Sequence, residues 1–333
     1  MLLFRHVSIR SQVASNALFN AISSSATHGK RLARHVRSLG AVLDPQQPGR
    51  LHALSFARAV SLFPNLSELD LSFYPPPMPC PLHEREAEPF FPLEDEVLSI
   101  LRSGPRITAL RLANWSGDAS LLGTLLSLYH PTLRTLSLRG SPASFSVPPA
   151  SPPLSTPLFP LNLTLEPSLA LVPALMDWLT DARTAPHVRA LEFTRQPEPA
   201  VLAALLAAHG ATLTALALPT LTAADAAAVA AHGCPLHSAL RAEHPYTALP
   251  PPPLRAHLRH VALAAAPALA LVREEARARG RLESMSVMLW RGDEEEWATV
   301  HVIKVLCAQL GVRAEFERDV VAFRARFWAG ALL

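Results

Sequence analysis

Charge is scarce in this chain. Asp, Glu, Lys and Arg make up 17% of 333 residues, and 30 basic against 27 acidic side chains leave a formal net charge of +3. That near-balance removes the general electrostatic case for a nucleic-acid partner, which calls for a gathered basic surplus. Cysteine is almost missing: Cys80, Cys234 and Cys307 are odd in number and widely spaced, so no disulfide framework is implied and a reducing compartment fits. Long apolar runs are lacking too. The uncharged window 140–165 is full of prolines, and 199–224 is broken by His209-Gly210 and Pro219; a membrane helix needs about 20 uninterrupted apolar residues. No membrane partner is expected. Secretion is not expected either, because Arg5 and His6 fall where a leader needs its apolar stretch. A cytoplasmic or nuclear location follows. Mitochondrial targeting is the minor alternative, since Arg5, Arg10, Lys30, Arg31, Arg34 and Arg37 all precede the first acid, Asp44.

Catalytic signatures are also absent from the sequence. It contains no G-x-S-x-G, H-E-x-x-H, G-x-G-x-x-G or P-loop, so hydrolase and nucleotide chemistry have no anchor and no enzyme and no cofactor are expected. His232, Cys234 and His237 cluster within six residues. A zinc site needs about four ligands at suitable spacing, so these are read as loop side chains and no metal is expected. Asp293-Glu294-Glu295-Glu296 reads as a helix start, where acids favour the positive end of the helix dipole.

What is abundant is apolar residues, half of the chain, and proline, 32 in all. The apolar residues are ordered. A frame of the form apolar-x-x-apolar-x-apolar recurs nine times, beginning at Val36, Leu66, Ile107, Leu133, Leu158, Val188, Leu213, Leu258 and Leu282. Six of the eight steps between first positions lie between 24 and 30 residues, near the leucine-rich repeat period of about 20–29. Weaker units open the chain at Val7-Ser8-Ile9 and close it near Val312–Phe316. The gaps read as helices over 51–63, 93–102, 119–129, 168–182, 200–208, 223–231, 268–279 and 296–310, many ended by Gly or Pro. Strand alternating with helix at a short period predicts an α/β fold. We therefore expect a single leucine-rich-repeat-like solenoid, a horseshoe with parallel strands on the concave face and helices on the convex face, over 1–333.

The frame has a physical reading. In Leu69-Asp70-Leu71 the leucines point inward from a strand and Asp70 points out, because side chains alternate. The leading apolar residue packs toward the preceding helix, and no unit buries its face without neighbours. Proline-rich insertions are expected at 74–92, 140–157 and 234–253. Pro250–Pro253 with Arg255 has the P-x-x-P-x-R shape that extended-helix grooves accept, and the basic stretch 30–37 reads as a solvated connection.

The opening LLFRHVSIRS, the helix Gln12–Ser25 and GKRLARHVRSL, followed by FPNLSELDL, HPTLRTLSL and APHVRALEF, resemble fungal F-box proteins with irregular leucine-rich repeats. The resemblance covers essentially the whole chain through loose motifs. It departs from the standard repeat at the asparagine of L-x-x-L-x-L-x-x-N, where Tyr74, Trp115, Ser141 and Gln196 stand; the turn backbone must be satisfied some other way. The F-box itself, which would hold a Skp-type adaptor, is not in the sequence, so adaptor binding is expected only if an F-box lies upstream. The resemblance implies a non-catalytic, protein-binding substrate-recognition part of an SCF-type ubiquitin ligase receptor. The alternative is a stand-alone repeat scaffold unrelated to ubiquitin transfer.

A protein partner would meet the outward strand residues. The candidates are Asp70, Arg111, Arg139, Glu192, His260, Met288, Trp290 and Arg291, together with an apolar stretch through Ala215, Ala217 and Ala262. Trp290 and Arg291 are the expected anchors, because Trp and Arg dominate interface hot spots; the equal alternative for Trp290 is a core residue of the final unit.

Overall fold

The computed structural model describes residues 5–23, 28–75, 93–147, 161–181, 187–232, 238–250, 252–278 and 281–331. Its contacts gather into two compact units. The first comprises Met1–Leu161 and Ser168–Leu179, the second Asn162–Pro167 and Thr180–Leu333.

The first unit runs β1 (His6–Ile9), α1 (Gln12–Ser23), α2 (His28–Ala33), β2 (Ser38–Leu43), α3 (Ala53–Leu62), β3 (Glu68–Phe73), α4 (Asp95–Arg102), β4 (Ala109–Asn114), α5 (Leu121–Tyr129) and β5 (Thr135–Gly140). Its strands pair in chain order, each parallel to the next. The repeat frame explains the burial. In β3 burial alternates strictly, with Leu69, Leu71 and Phe73 buried and Glu68, Asp70 and Ser72 partly exposed. The leading Leu66 is buried as well, and α3 buries Phe56, Ala57 and Val60. Each leucine or phenylalanine so buried contributes roughly 1.5–3 kcal/mol. Successive strands and successive helices supply that burial to one another, as in any solenoid-like stack.

The second unit holds β6 (Leu161–Leu165, all but its first residue), α6 (Pro173–Thr180, which enters only at Thr180), β7 (Val188–Phe193), α7 (Pro199–His209), β8 (Ala215–Leu218), α8 (Ala223–Ala231), β9 (Ala239–Ala242), α9 (Pro252–Arg255), β10 (His260–Ala264), α10 (Ala265–Ala278), β11 (Ser284–Met288), α11 (Glu294–Leu310), β12 (Arg313–Glu317) and α12 (Val320–Ala331). The pairs from β7 to β12 are again parallel and sequential. α11 stops at Gly311, whose φ of 71° is a left-handed cap that favours glycine.

The α/β, solenoid-like reading therefore holds, and the weak terminal units are real strands, β1 and β12. One expectation is corrected. The stretch 234–253 is not simply an insertion but contains a further repeat, β9, followed by a helical turn, α9. The frame escapes detection there because its leading place falls on His237 and its closing place on Ala242. Pro252–Arg255 is helical rather than left-handed extended, and Arg255 pairs with Glu274, so the extended-ligand reading fails at these residues. Most of the insertions at 74–92 and 140–157 lie outside the described residues. The near end of the second is packed: Pro142–Phe145 forms a 3₁₀ turn that buries Phe145.

The missing repeat asparagine is replaced differently from turn to turn. Asn114, one place earlier than the standard position, is buried and donates to the carbonyls of Asp118 (2.8 Å) and Ser144 (3.3 Å), while its Oδ1 accepts from the Ser116 N–H. β5 crosses this turn so closely that a Cβ on Gly140 (φ +137°) would lie 2.0 Å from the Asn114 carbonyl oxygen. Gln196 does stand at the standard place: its Oε1 accepts from the Thr220 N–H and its Nε2 donates to Asp225, which forms a capping box with Thr222 at the start of α8.

Candidate protein-binding faces

In each unit the outward strand positions form rows across neighbouring strands, spaced about 4.8 Å apart. In the first unit one row is Gly40–Asp70–Arg111–Ser137 and the next Val42–Ser72–Ala113–Arg139. Asp70 and Ser137 are half-buried, and Arg111 and Arg139 are exposed. Just past the strands Tyr74 and Trp115, both on the outward phase, are also exposed (38% and 39%). The main-chain pairing continues to them, since the Tyr74 N–H donates to the Leu43 carbonyl and the Trp115 N–H to the Phe73 carbonyl. An acidic position, two arginines and two aromatic rings thus share one patch of β3, β4 and β5. Asp70, Arg111 and Arg139 stand where they were expected; the two aromatics that extend the patch were noticed only as missing asparagines.

The outward rows of the second unit differ. They read Ala190–Ala215–Ala239–His260–Ser284–Arg313 and Glu192–Ala217–Arg241–Ala262–Ser286–Glu315. The alanines point out as expected, yet they are fully buried. The cover is α12, whose Phe323 and Phe327 pack into a cluster with Ala190, Ala215, Ala217, Ala239, Ala262 and Met288, flanked by Val320 and Trp328. The expectation that Met288 is open to a partner is therefore corrected: it is 2% exposed, under the chain's own helix. Small floor residues leave a trough, and aromatic side chains at i and i+4 of a helix fill it. Asp319 starts that helix by accepting from the N–H groups of Val321 and Ala322.

An ion network runs beside the aromatics. Arg241, 1% exposed, donates from Nη2 to Glu192 at 2.5 Å and pairs through Nε with Glu243 at 3.1 Å. Arg324 of α12 holds the same Glu243 in two bonds of 2.6 and 2.8 Å. That bond, the main cause, keeps the Arg324 guanidinium above the usual arginine range. Arg326 grips Glu315 and Glu317 on β12. Among the described residues Nη1 of Arg241 is buried without a hydrogen-bond partner, and the guanidinium lies 5.6 Å from the Phe327 ring and 5.9 Å from Trp328. Glu192 is therefore not a free binding group; it anchors Arg241 and also accepts from the Thr164 hydroxyl.

Three expected residues lie outside this cluster. His260 is half-buried, its Nδ1 2.8 Å from the Ser284 hydroxyl, and desolvation lowers its pKa, helped by Arg259 and Arg313 and opposed by Glu283. Trp290 is 47% exposed, and its indole N–H donates to the Glu243 carbonyl at 2.8 Å. Arg291 is exposed and pairs with Asp293 and Glu295. The acids 293–296 do open α11: Asp293 accepts from the Glu296 N–H, and the Glu296 carboxylate accepts from the N–H groups of Trp290, Arg291 and Gly292. The basic stretch 30–37 is a solvated connection, with Lys30, Arg31, Arg34, His35 and Arg37 all exposed.

Sequence reasoning missed Arg241, Glu243 and the whole of α12. The signal was present as Phe323 and Phe327 one helical turn apart after Asp319, with alanines recurring in outward strand slots. Among the described residues no group of three or more His, Cys, Asp or Glu is placed to hold a metal ion, while Cys234 and His237 lie outside them. No helix among them is long and apolar enough to cross a membrane. No protein-family model matches the chain, and no curated protein is similar to it in sequence.

Proposed function

We propose that the chain is a non-catalytic, protein-binding repeat domain of leucine-rich-repeat type, with the outward strand residues lining a concave face. In this reading it serves as the substrate-recognition part of an F-box type ubiquitin ligase receptor. One observation carries the protein-binding reading: Asp70, Arg111, Arg139, Tyr74 and Trp115 are gathered on adjacent strands of the first unit and left accessible. Accessible aromatics beside arginines are the residues that dominate protein interfaces. One acid stands beside two arginines, a mixture that suits a folded protein or peptide better than a polyanion. The F-box assignment rests on the sequence resemblance alone.

The test is a photo-crosslinking amino acid placed at Arg139, with a control at Arg102 on α4, which is also exposed. The expected result is a discrete protein adduct from position 139, lost when Trp115→Ala and Arg111→Glu are added, and none from 102. Equal adducts from both positions, or none from 139, would overturn the reading. Ubiquitination of the adduct partner, dependent on this chain in cells, is the expected sign of the ligase role.

A further inference from the structure

We infer that the strand face of the second unit is a docking site for a basic amphipathic helix, and that α12 is its displaceable resident. A partner protein presenting a helix with aromatic residues at i and i+4 and arginines between them would compete with α12 for the face. The inference rests on the strand faces being protein-binding surfaces, and it adds the class of partner.

Three observations carry it. The first is the occupant. α12 touches this face through Phe323, Phe327, Val320 and Trp328, while Val321 on its other side is 76% exposed. It is a helix laid with its aromatic side in an apolar trough, which is a known mode of peptide recognition. The second is charge. Arg324 and Arg326 answer Glu243, Glu315 and Glu317. With α12 lifted, Arg241 in the network and Arg313 at the β12 edge stand against Glu192, Glu243, Glu315 and Glu317, so the bare face keeps an acidic excess around an alanine centre. Such a floor attracts a basic helix and repels an acidic one. The third is misfit. Arg241 is 99% buried, and α12 covers it with two aromatic rings yet leaves its Nη1 unpaired among the described residues. A buried donor left unsatisfied penalises the resident helix. A competing helix carrying a hydroxyl or amide oxygen at that point would satisfy it and bind better than α12 does.

The test uses the full chain and a fluorescent synthetic peptide of residues 318–333. In the Phe323→Ala/Phe327→Ala chain the resident helix is weakened, and the peptide should bind it at least ten-fold more tightly than it binds the unaltered chain. A peptide with Arg324→Glu and Arg326→Glu should lose that binding, and added salt should weaken the original peptide. In the unaltered chain, α12 amides should exchange hydrogen faster than those of β7 to β11, marking release without unfolding. Three results would overturn the inference. The double variant stays folded and ignores the peptide; it loses cooperative unfolding altogether, making α12 an inseparable part of the unit; or it dimerises by exchanging α12 between copies. None of these readouts touches Arg139 or the first unit's face, so this inference and the crosslinking result fail independently.

Discussion

The outward strand faces of the two units obey one repeat rule and end in opposite states. In the first, Asp70, Arg111, Ser137 and Arg139 fill the outward slots and remain accessible. In the second, Ala190, Ala215, Ala217, Ala239 and Ala262 fill them and are buried beneath α12. The inward leucines are alike in both, because they answer to the core. The outward slots answer to no core, so their size and charge decide what settles there. Long charged side chains keep a face wet; a run of methyl groups builds a trough that the nearest amphipathic helix fills.

Breaking the buried ion network should separate the faces most sharply. Arg241→Ala would leave Glu192 without its cation, while Glu243 keeps only Arg324. The expected loss is roughly 3–5 kcal/mol, read as a fall in urea midpoint, with partial recovery when Glu192→Gln removes the stranded charge. Arg111→Ala, the corresponding change on the open face, should hardly move the midpoint.

A second contrast needs only bulk. Ala217→Leu places a branched chain under α12 and should cost roughly 1–3 kcal/mol by overpacking, with faster hydrogen exchange confined to α12 and its floor. Ser137→Leu, in an outward slot of the first unit, should stay within about 0.5 kcal/mol. Equal effects would mean that both faces are covered.

Acid should touch both units mildly. Desolvation lowers the pKa of His130 in the first unit and of His260 in the second below the ordinary 6.5. The unfolded chain then binds more protons than the folded one in the window between each lowered value and 6.5. Stability is therefore full above about 6.5 and declines as the pH falls through that window. His260→Gln should flatten the slope of a urea-midpoint series between pH 7.5 and 5.5, and His130→Gln should flatten it further. The smallest structural effect is expected for Arg139→Ala, within about 0.5 kcal/mol in stability, although partner affinity measured by titration should drop about ten-fold, or 1.4 kcal/mol.

The strand positions were legible because the inward slots hold Leu, Ile, Val or Phe at fixed spacing, as in Leu66, Leu69 and Leu71. β9 was not, since His237 and Ala242 occupy two of its three apolar places and only Leu240 speaks for it. The direction of Asp70, Arg111 and Arg139 followed from alternation alone. Their accessibility, and the concealment of Met288, did not. Alternation says which way a side chain points, but not what has come to lie over it. That depends on Phe323 and Phe327, 35 and 39 residues after Met288, and a periodic frame carries no information about so distant a partner. The turns were opaque for a related reason: Asn114, Gln196 and Glu296 do the same task from different places, so no shared motif marks it.

The order of synthesis gives the α12 cover a consequence in time. Phe323 follows Ala217 by 106 residues, and translation adds roughly 5–20 residues per second. The part of the floor from Ala190 to Ala262, with Glu192 and Glu243, therefore leaves the ribosome several seconds or more before the helix that hides it. During that interval any basic amphipathic segment nearby, including one still emerging on a neighbouring nascent chain, meets the floor first.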